Sequence, residues 1–221
     1  MNEIFYSPTL LFEKISIDPM LKHQSCIHLW IPNMFEFKGG IQVYSAFLLD
    51  ALQQLKLNVD YDVFLKHDTQ TTGDVPARAN TRFHFAGSYP LPVRTAAFAS
   101  QILAQGVFQK PQLVISTHIN FAPAAYRLKQ LTGIPYWAVA HGIDAWNLQQ
   151  PAIQRALHHA DLILPVGGYT RDRLIEEQHL DPTRLAIVLH PHFANECNYE
   201  SGENLVSSKL CSIAIPKPLK D

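Results

Sequence analysis

His141, Gly142 and Asp144 follow directly on a short apolar run, Tyr136–Ala140. An imidazole there can donate a hydrogen bond or a proton to negative charge developing on a substrate. Asp144 can accept from hydroxyl groups or orient the imidazole, and Gly142 lets the backbone turn sharply or a ligand come close. His118 stands in the same relation to a second run, Leu113–Thr117. Gly39-Gly40-Ile41-Gln42 opens a stretch of helical spacing. A helix start presents unpaired N–H groups and the positive end of the dipole, which suits a phosphate or diphosphate. Taken singly, each feature has a plainer explanation: a histidine satisfied by a loop carbonyl, or a tight turn. The glycine pair also lacks the full GxGxxG fingerprint. Together, two histidines and a glycine loop at three strand ends form a constellation that favours a binding site.

These residues need a scaffold that brings strand ends together. Apolar runs bounded by Pro, Gly or polar clusters predict strands at Cys26–Ile31, Tyr61–Leu65, Arg82–Phe85, Leu113–Thr117, Tyr136–Ala140, Leu162–Pro165 and Leu185–Leu189. From Ile41 the period becomes helical, with Tyr44, Phe47, Leu48, Ala51, Leu52 and Leu55 on one face and Gln53, Gln54 and Lys56 off it. Further helices are expected at Pro92–Phe108, Ala122–Leu131 (closed by Gly133), Pro151–His159 and Tyr169–His179. Alternation of this kind predicts an α/β fold, a single Rossmann-like parallel sheet with helices on both faces. In such a sheet ligands bind beyond the carboxyl ends of the strands. The expected domain runs over 25–190. Residues 1–24 read as an N-terminal extension and 191–221 as an irregular tail or truncated linker, with 194–221 forming no independent core.

Composition narrows the class of function. The 221 residues are 47% hydrophobic and 17% charged, with 18 Lys and Arg against 19 Asp and Glu. That balance suits a globular core and gives no nucleic-acid surface. Peripheral membrane contact stays open, but no run approaches transmembrane length. Cys26, Cys197 and Cys211 are odd in number and lack CxxC spacing, so a disulfide framework is not expected and a cytoplasmic location is. The acidic, proline-bearing start has no signal-peptide pattern. Metal binding is the weaker alternative: His158-His159 point to different sides of a helix, and His190 with His192 lack further ligands. No GxSxG, Walker A or HExxH motif occurs.

Three segments in order, GGIQVYSAFLLDAL, THINFAPAAYRLKQLTGIPYWAVAHGIDAW and ADLILPVGGYTRDRL, resemble the N-terminal, acceptor-side domain of family-4 retaining glycosyltransferases of the GT-B type. The resemblance covers roughly residues 25–190. It implies two Rossmann-like domains facing across a cleft, the second holding most of a nucleotide-sugar donor. It implies no metal or other cofactor. By the same resemblance, His141 acts on the donor sugar and diphosphate, and the Gly39-Gly40 loop, with Gln42, approaches the diphosphate. His118, Gly142 and Asp144 line the cleft.

The family's paired glutamates, with seven residues between them, have no counterpart, since Glu196 and Glu203 have only six between them. The expectation is therefore the acceptor-side half of such an enzyme, its donor half lost by truncation or frameshift or supplied by a separate donor-domain chain. The acceptor is unknown. Two other readings stay open: a non-enzymatic binding domain, and an unrelated phosphate-binding α/β enzyme with a complete pocket of its own.

Overall fold

The computed structural model describes residues 4–6, 25–36, 39–54, 57–71, 80–188 and 213–215. Six strands form a parallel sheet: β2 (Ser25–Ile31), β3 (Val59–Leu65), β4 (Thr81–Phe85), β5 (Leu113–Ser116), β6 (Tyr136–Ala140) and β7 (Leu162–Pro165). Their order is β4-β3-β2-β5-β6-β7. The chain steps outward from β2 to β4, then returns to lay β5 against the other side of β2. That reversal between β2 and β5 is the topological switch point, where the loops beyond adjacent strands part to leave a crevice.

The helices are α1 (Gly40–Gln54), α2 (Leu91–Gln109), α3 (Ala122–Thr132), the short α4 (Gly142–Ala145), α5 (Pro151–His159) and α6 (Gly168–Gln178). Side chains alternate across each strand. Ile27, Leu29 and Ile31 of β2 join Leu48, Leu49 and Leu52 of α1 in one core. On the opposite face Trp30, Phe64 and Val114 pack with Phe98 and Ile102 of α2, Leu128 of α3 and Leu157 of α5. Helices thus cover both faces, as the alternation predicts. At the α2–α3 crossing, a Cβ on Gly106 would stand 2.4 Å from Leu128 Cδ2, so glycine allows the close approach there. Gly133 closes α3 with φ of 78° and returns its N–H to the carbonyl of Lys129.

Some details differ from the sequence reading. The buried stripe of α1 is Gln42, Ser45, Leu48, Leu49, Leu52 and Gln53, rotated from the expected face. Gln53 is buried because its amide reaches Thr81 Oγ1 on β4, at 2.7 Å. The sequence also assigns no strand to either end. Here β1 (Ile4–Tyr6) and β9 (Ile213–Ile215) pair antiparallel, and the strand expected at Leu185–Leu189 is the shorter β8 (Ile187–Val188), which pairs antiparallel with β9 outside the six-stranded parallel sheet. The other residues of 1–24 and 191–221 lie outside the described residues.

One buried carboxylate fixes the loop beyond β2. Asp68, fully buried, accepts hydrogen bonds from the backbone N–H groups of Met34, Phe35 and Glu36. The bonds Lys66 N–H to Ile31 O and His67 N–H to Pro32 O hold the same loop to the end of β3. Removing the carboxylate leaves three donors without their acceptor. Asp68→Ala is expected to lower stability by roughly 3 kcal/mol and Asp68→Asn by less, read from urea denaturation; equal and negligible losses would show that the loop does not depend on this contact.

Candidate functional site

The residues singled out in the sequence stand on the carboxyl rim of the sheet. Thr117, one residue past β5, donates its N–H to Trp30 O (2.9 Å) and its hydroxyl to the same carbonyl (3.2 Å). Its own carbonyl accepts from Nε2 of His141, at 2.9 Å, just past β6. A carbonyl can only accept, so Nε2 carries the proton. In the neutral ring Nδ1 is then an acceptor. Tyr44 of α1 packs edge-on against the His141 ring, with centroids 5.4 Å apart.

His118 lies 6.3 Å from His141, centroid to centroid, with the rings inclined by 29°. Its Nδ1 accepts from the N–H of Asn120, at 3.1 Å, and so caps the short 3₁₀ turn Ile119–Phe121. Its Nε2 faces Asp144 Oδ2 at 3.5 Å. Asp144 therefore partners His118, not His141.

Gly39 and Gly40 start α1, where the first intrahelical bond runs from Val43 N–H to Gly39 O. Tyr44 sits one turn down from Gly40, so the helix start lies about 5–6 Å along the axis from the side chain that meets His141. Gln42 donates to Asn33 Oδ1 on the Asp68-braced loop. A Cβ placed on Gly40 or Gly142 would meet nothing within 4 Å. Packing within the chain does not demand glycine at Gly40.

The structure thus brings His118, His141 and Asp144 together and joins the Gly39-Gly40 helix start to them through Tyr44. Sequence reasoning missed Tyr44, which looked like a core position on the helical face, and the carbonyl of Thr117, which carries no sequence signal. It also passed over Gly167-Gly168, a second glycine pair opening a helix after β7. That repeat of strand, glycine pair and helix could have been noticed. Beside it Tyr169 meets Trp146 edge-on at 5.2 Å, and Arg173 lies 5.1 Å from the indole. Val43, Ile143 and Tyr169 expose large apolar side chains around this rim.

His159 bonds back to the carbonyl of Arg155 and lies tilted against Tyr126, with centroids 4.6 Å apart. His190 and His192 lie outside the described residues.

The sequence model of Glycosyltransferase Family 4 matches residues 38–191, well over half of the chain. The chain belongs to glycosyltransferase family 4. Several solved structures share the fold. Sucrose-phosphate synthase from Thermosynechococcus elongatus aligns with a TM-score of 0.56 at 14% identity, over 74% of this chain and 47% of that one. UDP-N-acetylglucosamine 2-epimerase from Rickettsia bellii gives 0.53 at 12%, over 74% and 44%. Anabaena HepE in complex with UDP-glucose gives 0.52 at 12%, over 74% and 43%. The family-4 chain therefore spans less than half the length of these structures, corresponding to one Rossmann-like half of a GT-B enzyme. A search of the curated proteins found no match. Among the described residues, no helix is long and apolar enough to cross a membrane.

Both rim histidines are harder to protonate than usual. Burial lowers the pKa of His141, opposed by the Thr117 carbonyl, and lowers that of His118, opposed by Asp144. Both rings are neutral at pH 7. The unfolded chain, with ordinary histidines near pH 6.5, takes up protons before the folded one does. Stability contributed by this pair is thus full above about pH 6.5 and is lost as pH falls from there through the folded-state values. Replacing both (His118→Asn, which can retain the cap, and His141→Gln) is expected to make the decline in urea midpoint between about pH 7 and 5 shallower. An unchanged decline would mean that the rings titrate as in the unfolded chain.

Proposed function

We propose that this chain supplies the acceptor-side, N-terminal half of a retaining glycosyltransferase. That enzyme moves a sugar from a nucleotide-sugar to an acceptor and needs no metal for the transfer. The observation that carries the reading is the meeting of a glycine-opened helix start and a neutral, oriented histidine at the switch point of a family-4 sheet. HepE, which shares the fold, was crystallised with UDP-glucose, and a uridine diphosphate sugar is the first donor to try. Unpaired N–H groups at the start of α1 stabilise negative charge on the departing diphosphate. Gly40 keeps the approach to them open.

His141 has a narrower role than proton donation. Its one proton is engaged by Thr117, so the neutral ring offers the diphosphate no N–H. Nδ1 instead accepts from a hydroxyl of the donor sugar and fixes the sugar's orientation. Such positioning lowers a barrier by holding the reacting atoms in line, on the order of 7–11 kcal/mol in favourable cases. Asp144, half-exposed beside His118, accepts from acceptor hydroxyls, with Gly142 leaving room beside it. The exposed side chains of Val43, Ile143 and Tyr169 suit a rim that faces a second domain. A free, buried Cys26 is in keeping with a cytoplasmic enzyme.

The chain spans under half of each structure described above, so the first test asks what this part does by itself. The pure chain, assayed over a panel of nucleotide-sugars, is expected to show no appreciable turnover. UDP-sugars are expected to shift the amide resonances of Gly40 to Gln42 and of His141. Gly40→Ala should keep the fold and reduce those shifts. His141→Ala should keep the fold and abolish any activity restored by a donor-domain chain. Robust transfer by the chain alone that survives His141→Ala would overturn the assignment, and shifts confined to other surfaces would overturn the site.

A further inference from the structure

A second group of reactive side chains lies on the amino-terminal half of the sheet, on the face covered by α2. Cys26, His28 and Asp62 each place one ligand-type atom within 4.8 Å of the others. Strand register brings them there, since His28 pairs with Asp62 across β2 and β3. Cys26 Sγ is 3.1 Å from Asp62 Oδ2, and His84 Nε2 on the edge strand β4 is 2.7 Å from Asp62 Oδ1. His28 is fully buried. Its Nε2 bonds Gln109 Oε1 at 2.6 Å, while its Nδ1 is buried without a hydrogen-bond partner.

An ion pair accounts for only part of this cluster. Arg82 holds Asp62 through two hydrogen bonds, at 2.9 and 2.8 Å. Those bonds satisfy the carboxylate and leave His28 Nδ1 orphaned, an uncommon state for a buried polar atom. The Arg82 side chain is 56% exposed, so it can leave without unpacking the core.

We propose that Cys26, His28 and Asp62 bind a zinc ion, with His84, which bonds Asp62 Oδ1 but stands outside the three-residue group, turning in as the fourth ligand. Thiolate, imidazole and carboxylate are the donor set zinc takes in tetrahedral sites. His28 contributes Nδ1, because Gln109 holds Nε2 and fixes the ring as an outer-shell partner does. Binding forms the sulfur–zinc bond as the Cys26 thiol proton passes to water. Arg82 is the competing cation. Zinc displaces it from Asp62, and it retains Asp60, 3.5 Å from its Nη1. The ion ties β2 and β3 to the edge strand β4. His28 precedes the loop beyond β2 by four residues, about 13 Å of strand, so the ion takes no part in chemistry at the rim.

The test uses the full chain, stripped with chelator and titrated with Zn²⁺ and with Co²⁺. One equivalent is expected to bind, with a cobalt–thiolate charge-transfer band and a rise in melting temperature. Cys26→Ser should remove the band. His84→Gln, at a partly exposed position and so expected to fold, should weaken zinc binding at least tenfold. Arg82→Gln should lower the stability of the metal-free chain and tighten zinc binding; a purely structural role for the cluster would produce the first effect but not the second. No cobalt–thiolate band, or zinc held equally well by Cys26→Ser and His84→Gln through exposed histidines such as His158, would overturn the proposal.

Discussion

The rim depends on how Thr117 joins three strands at once. Its N–H and hydroxyl both go to Trp30 O of β2, its chain position extends β5, and its carbonyl takes the proton of His141 beyond β6. Thr117 is fully buried, so these bonds lie where water does not compete and an unpaired partner would be costly. They set the separation of β2 and β5 at the reversal of the sheet and decide which nitrogen of His141 faces outward. Everything else on the rim is placed relative to that ring: Tyr44 against its edge, His118 beside it, and Asp144 reached through His118.

The same constraint separates two roles that look alike in a sequence. A histidine at a strand end can be a proton donor or an acceptor, and the residue type does not say which. Here desolvation disfavours the cation, and the backbone carbonyl consumes the single N–H of the neutral form. In the proposed function, charge stabilisation for a diphosphate falls to the start of α1, whose N–H groups need no protonation state to act. The proposal thus divides the work: a fixed dipole for charge, and an oriented lone pair for hydroxyl geometry.

Much of this was legible before the fold was known, and the reasons are local. Pro151–His159 and Tyr136–Ala140 agree with their observed bounds because proline, glycine and an uninterrupted apolar or amphipathic period mark both ends. His118 and His141 were recognised because each follows such a run. What escaped depends on which strands become neighbours. The cluster of Cys26, His28 and Asp62 spans 36 residues, and no spacing rule links Cys26 to Asp62 until β2 and β3 are in register. Asp68 carries no signal in the sequence, yet it binds three N–H groups 32 to 34 residues away. Gln53 was assigned to solvent by its chemistry, and Thr81 brought it inside. In each case a polar residue is buried by a partner distant in sequence, which hydrophobic periodicity cannot register.

The central claim is that His141 presents an unprotonated Nδ1 to the sugar of a bound donor. Long-range proton–nitrogen correlation NMR on the ¹⁵N-histidine-labelled chain observes that atom directly, at neutral pH, without ligand, with UDP and with a UDP-sugar. The account predicts a protonated Nε2 and a bare Nδ1 in the free chain. It further predicts an Nδ1 resonance that moves with the UDP-sugar and stays in place with UDP alone. A protonated Nδ1 in the free chain, or an Nδ1 that responds equally to both ligands, would contradict it.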